Sequence, residues 1–149
     1  MSKYALTFSL STESTDELIL GTLTLSKDDL EVNAYIATSG LPGYQGDGDW
    51  VRRGRGLIVP DKPYQVITTP IDLRGTKGVE GNFFPITPHF VDSGVGVRGD
   101  FGIHFDANVP GSSGCIVLKT QRGWLAYQRD IKAIADEGID EIPLTIIYT

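Results

Sequence analysis

The sequence predicts one mostly-β domain with a single main α-helix near its C-terminus. Three observations carry the expectation. Short stretches rich in Thr and in β-branched or aromatic residues, with near-alternating polarity, fill the N-terminal part. Breakers separate them throughout, with 18 Gly and 8 Pro among 149 residues, as a chain of strands and turns requires. Helical spacing of apolar residues is convincing in one long segment only, close to the end of the chain. A length of 149 residues fits one domain, residues 1–149, large enough to stabilise its own core.

Taken in order, "YALTFSLS" (4–11), "ELILGTLTLS" (17–26) and "LEVNAYIATS" (30–39) read as strands separated by the polar clusters "TESTD" and "KDD". From Gly40 to Gly56 the chain becomes "GLPGYQGDGDWVRRGRG", too dense in breakers for a core element and expected as a long loop. Strand character resumes in "LIVP" (57–60) and "YQVITTPI" (64–71), and again in "TPHFVDSG" and "FGIHF" on either side of further glycine. "CIVL" (115–118) is a short apolar run. In "GWLAYQRDIKAIADEG" (123–138), Trp124, Tyr127, Ile131, Ile134 and Ala135 recur at helical spacing and Gly138 supplies a stop. "IPLTIIYT" closes the chain as a buried strand.

Composition excludes several function classes. A formal net charge of -6 argues against a nucleic-acid groove, whose affinity comes from cationic contacts with phosphates. One cysteine rules out an intramolecular disulfide and a Cys-based zinc cage. Residues 1–20 contain Glu13, Asp16 and Glu17 and no uninterrupted apolar run, so neither a signal peptide nor a membrane span is expected there.

Several motifs fail on their context. "GVGVRG" (94–99) matches the dinucleotide fingerprint in letters, but a strand-like "FGIHF" follows where a helix should open, and Lys119 and Thr120 stand near the place of the acid. "GDGDW" offers Asp47 and Asp49 without the remaining oxygens of a calcium loop. "RRGRG" sets Arg52, Arg53 and Arg55 on the Gly-rich loop, where guanidinium forks match a carboxylate bidentately. His89 has no ligand partner at useful spacing and reads as structural or surface.

The stretch "FGIHFDANVPGSSGCIVL" (101–118) carries the chemistry. It holds the lone Cys115, and His104 precedes it by eleven positions. A thiol becomes a nucleophile as thiolate, and a neighbouring imidazole is the usual acceptor of its proton. The Pro and Gly turn between them lets the chain fold back, so that the two meet on adjacent strands. Pairing of this kind predicts a thiol titrating below its free value of about 8.5. The small residues of "GSSG" leave the backbone free to aim the amides of Ser113, Gly114 and Cys115 at a developing oxyanion.

"IHFDANVPGSSGCIVL" resembles the active-site segment of the L,D-transpeptidase catalytic domain family, in which a His opens the motif and a Ser-x-Gly-Cys run closes it. Upstream, "ATSG" (37–40) and "GRGLIVPDKPYQV" (54–66) are similar to that family's strand ending in Ser-Gly and its Gly-rich segment leading into the next strand. Most of residues 30–120 is covered. Many members have a His two positions before the cysteine, where this chain has Ser113, and an apolar residue then Arg or Asn after it, where Val117 follows Ile116. The pattern looks more like a toxin- or phage-type branch. The resemblance implies a β-sandwich or barrel, Cys115 as nucleophile, His104 as base, and Ser113, Gly114 and Cys115 as oxyanion donors. A backbone carbonyl would orient the imidazole, and Arg98, Arg52, Arg53 or Arg55 would replace the missing substrate-fixing residue.

The function so implied is acyl transfer or hydrolysis on peptidoglycan stem peptides through a thioester, with no metal or organic cofactor. The site of action would be the periplasm or cell wall, reached by phage lysis, in a virion or through a secretion machine. A rival of another class is a non-catalytic β module that binds cell-wall glycopeptide or a protein through the 40–56 loop. A papain-like protease is disfavoured by chain order, because its His follows its Cys.

Overall fold

The computed structural model describes residues 3–107 and 110–149, so Asn108 and Val109 of the expected turn lie outside the described residues. The strands are β1 (Tyr4–Leu10), β2 (Gly21–Lys27), β3 (Leu30–Thr38), β4 (Tyr64–Ile67), β5 (Ile71–Asp72) and β6 (Asn82–Thr87). There follow β7 (Phe90–Asp92), β8 (Val97–Gly99), β9 (Gly102–Phe105), β10 (Ile116–Leu118), the helix α1 (Gln121–Asp136) and β11 (Glu141–Tyr148). The chain is mostly β with one C-terminal helix, as its punctuation predicts.

In β1 the alternation is strict: Tyr4, Leu6, Phe8 and Leu10 are buried, while the residues between them face outward. Ile142, Leu144 and Ile146 of β11 repeat the pattern. Strands with one apolar face must bury it, and here they do so by closing on themselves. The order β4-β11-β1-β2-β3-β10-β9-β6 is completed by a β4–β6 pairing into an eight-stranded barrel, with β5 added on β6. Most neighbours are antiparallel, but β11 runs parallel to β1 and β10 parallel to β9. β7 and β8 form a separate hairpin.

The helix obeys the spacing read from the sequence. Trp124, Tyr127, Ile131 and Ile134 are buried, and Tyr127 meets Tyr35 and Phe84 edge-on at centroid distances of 5.5 and 5.2 Å. Thr120 caps its start by accepting the Gly123 amide at 2.9 Å. Gly138, at φ 88°, follows its end.

One expected strand is not a strand. Leu57, Ile58 and Val59 are buried as their apolarity demands, yet side chains rather than a neighbouring strand satisfy their backbone. Arg98 Nη1 donates to the Leu57 carbonyl, Tyr148 Oη to that of Ile58 and Tyr64 Oη to that of Val59. The Ile58 amide donates to Ser39 Oγ. β6 and β8 are not foreseen. β6 carries Pro85 in its middle, a residue that argues against a strand interior, and the barrel accommodates it beside Gly102 of β9.

Candidate active site

The parallel pairing of β9 and β10 sets Ile116 beside Ile103 and Val117 beside His104. Ile103 and Ile116 point into the core. His104 and Val117 therefore share the other face, and Cys115 stands in the bend that enters β10. The two residues singled out in the sequence line one cavity of about 370 Å³, together with Phe83, Asp100, Ser112 and Ser113. Leu41 from the Gly-rich loop and Val79 also line it.

His104 is oriented from two sides. Its Nδ1 lies 2.8 Å from the Phe105 carbonyl oxygen, a contact that requires the proton on Nδ1 and leaves Nε2 as the acceptor. Phe83 stacks on the ring at 5.9 Å and 29°. The Phe105 carbonyl, from the neighbouring residue of the same strand, thus fixes the tautomer of the ring.

Cys115 is the described free cysteine, half-buried at the bend before β10. Its sulfur lies 3.9 Å from the Asp100 carbonyl oxygen. Burial pushes the thiol up to about 11, opposed by a hydrogen bond from the Gly102 amide and by the Arg98 charge, while Asp100 raises it further. Burial also lowers His104, against the raising effects of the Phe105 carbonyl and Asp106. The pair therefore rests as neutral thiol and neutral imidazole. This corrects the expectation of a lowered thiol: the desolvation that closes the site disfavours the thiolate–imidazolium state before substrate arrives.

The turn 111–115 is held by its own side chains and by β3. Ser112 Oγ donates to the Cys115 carbonyl at 2.5 Å and accepts the Gly40 amide at 3.2 Å and the Gly114 amide at 3.3 Å. The Gly114 amide, expected as an oxyanion donor, is thus occupied within the turn. The amides of Ser113 and Cys115 are the donors that the turn does not consume. Gly114 stands at φ +130°, and a Cβ there would lie 2.5 Å from the Phe101 ring and 2.6 Å from Arg98 Nη2, so only glycine fits.

The arginines separate into different roles. Arg98, on β8, is 4% exposed. Its Nη1 donates to the Trp50 and Leu57 carbonyls at 2.7 and 2.6 Å, and its Nη2 to those of Gly56 and Ser113 at 3.1 and 2.9 Å. The group expected to orient a substrate carboxylate is bound by four backbone carbonyls. Arg53 is exposed and lines a second cavity of about 330 Å³ with Phe90 and Val97, which shares Asp100 and Ser113 with the first. Arg52 pairs with Asp49 at 3.7 Å, and Arg55 donates to Tyr44 Oη at 3.0 Å with its guanidinium over that ring. His89 is exposed, and the Asp49 carboxylate accepts the Gly46 amide of its own turn.

Two buried polar residues were given no role by the sequence reading, which noted Ser39 only within "ATSG" and Gln45 only within the Gly-rich loop. Gln45, 2% exposed, binds Ile19, Thr38 and Ser39 and so fastens the Gly-rich loop to β3. Ser39, fully buried, joins Ile58 to Gly114. The available signal was weak: a hydroxyl between the buried end of β3 and a glycine. No family model matches the chain, and no curated protein matches it.

Proposed function

We propose that the protein is a cysteine acyl transferase or hydrolase of the L,D-transpeptidase kind, acting on peptidoglycan stem peptides. The observation that supports it is the common cavity of Cys115 and His104, with Nδ1 of the imidazole tied to the Phe105 carbonyl so that Nε2 is the acceptor. In this reading Cys115 Sγ attacks the carbonyl between the diamino acid and D-alanine while its proton passes to His104 Nε2. Because both groups rest neutral, proton transfer accompanies attack. The oxyanion gathers the amides of Cys115 and Ser113. On collapse the C–N bond breaks, the imidazolium returns its proton to the departing D-alanine amine, and a thioester remains on Cys115. An amine then gives a crosslink or exchange, and water gives hydrolysis. No step needs a metal or organic cofactor. The substrate would place the protein in the periplasm or cell wall, delivered by phage lysis, a virion or a secretion machine.

The high thiol value is also what a non-catalytic module with a relic cysteine would have. Intact-mass spectrometry separates the two after incubation with a carbapenem and, separately, with a synthetic stem tetrapeptide. The expected result is one acyl adduct mapped to Cys115, with release of D-alanine from the peptide. Protein that alkylates with iodoacetamide but takes up neither acyl donor nor releases D-alanine would exclude the enzyme.

A further inference from the structure

We propose that Ser39 is a positioning residue that aims the oxyanion-binding amide of Cys115, an inference that rests on the acyl-transfer reading. Ser39 follows the last residue of β3, one position before Gly40, and is fully buried. Its hydroxyl makes two bonds of opposite sense: Oγ accepts the Ile58 amide at 2.9 Å and donates to the Gly114 carbonyl at 2.9 Å. The second bond fixes the Gly114–Cys115 peptide. Because that peptide is planar and trans, pinning its carbonyl toward Ser39 turns the Cys115 N–H the opposite way, from the packed interior toward the cavity.

The preceding peptide is held in the same manner. Arg98 Nη2 takes the Ser113 carbonyl, so the Gly114 N–H turns back to Ser112 Oγ. Both anchors rest on one backing segment, because Arg98 also binds the Gly56 and Leu57 carbonyls while Ser39 takes the Ile58 amide. The alternating orientation leaves Cys115 rather than Gly114 as the donor beside the sulfur. Gly40 permits the approach: at φ +86° a Cβ there would lie 2.9 Å from the Leu57 amide nitrogen, pushing away the segment that Ser39 must reach.

The test uses two reactions of the same sulfur. Alkylation by iodoacetamide develops no oxyanion; acylation by a carbapenem does. Ser39→Ala is expected to slow acylation of Cys115 by about 10- to 100-fold, below the roughly 10² to 10³ of an oxyanion donor removed outright. Alkylation should stay within about twofold, since its chemistry makes no use of the amide. Loss of the hydroxyl leaves two buried groups unpaired, so Ser39→Cys, close in size and a weaker donor, is measured in parallel with adducts counted on the Cys115 peptide alone. It should show the same selective loss. Acylation equal to wild type in the folded variants, or parallel slowing of both reactions, would overturn the positioning role while leaving the enzyme standing. Wild-type protein that is never acylated would remove the enzyme reading, and this one with it.

Discussion

At Cys115 and His104 the local field, more than residue identity, sets the pH behaviour. The thiol is pushed up to about 11, chiefly by burial, and the imidazole is lowered by burial. A group held neutral by desolvation reacts through proton transfer in the transition state rather than through a standing thiolate. Two consequences follow, with definite sign. Iodoacetamide, which needs the thiolate, should alkylate the resting protein at a rate that rises about tenfold per pH unit from pH 6 to 10, without a plateau near neutrality. Acylation, which needs neutral His104, should keep its rate as pH falls to the ordinary imidazole value of about 6.5 and decline only below it. His104→Ala should cost acylation about 10² to 10⁴ and leave the alkylation profile nearly unchanged. An alkylation plateau below pH 7 that vanishes in His104→Ala would restore the ion pair.

Between the strands, turns hold the cavity of Cys115 and His104, and they were less legible than the proximity of those two residues. That His104 and Cys115 come together in one cavity could be anticipated because both lie in one short stretch with a Pro and Gly turn between them. The helix was readable for the same reason, since Trp124, Tyr127, Ile131 and Ile134 record its period. Segment 56–58 was not, because its partners are distant: Tyr148 reaches Ile58 across 90 positions, and Arg98 reaches Gly56 across 42. Apolarity announced that Leu57, Ile58 and Val59 are buried, but side chains from three other elements decide that they are not a strand. Arg98 shows the same limit, since an arginine in "VRGD" looks free until four carbonyls are found around it. Its position leads to a testable distinction. Arg98→Ala strips those carbonyls of a charged donor and should destabilise the fold by at least about 2 to 3 kcal/mol, lowering Tm by roughly 5 to 10 °C. A variant that kept its Tm but lost substrate affinity would return Arg98 to the role of a carboxylate clamp.

Closure of the barrel makes the site a property of the whole molecule. The turn before Cys115 is backed by Ser39 and Gly40, which follow β3, and by the β7–β8 hairpin through Arg98, which also binds the Gly56 and Leu57 carbonyls. None of these elements presents the cavity alone. The two tryptophans report the two ends of this arrangement. Trp50 lies in the Gly-rich loop, stacked on Tyr148 of β11 at 5.6 Å and 14°, with its carbonyl bound by Arg98. Trp124 lies in α1 against Phe84 and Tyr127. Single-tryptophan variants, Trp50→Phe and Trp124→Phe, therefore watch the helix and the backing loop separately as urea is raised. The loop is tied to β3 through Gln45 and Thr38, to β11 through Trp50 and Tyr148, and to the hairpin through the Trp50 carbonyl and Arg98, so its release is expected to accompany opening of the core. The expected result is one transition: coincident midpoints for both fluorophores, for far-ultraviolet circular dichroism and for loss of Cys115 acylation in the same variants. A Trp50 signal and an acylation capacity lost together at lower urea, with the Trp124 signal intact, would instead make loop and site a separately unfolding unit on a barrel that stands without them.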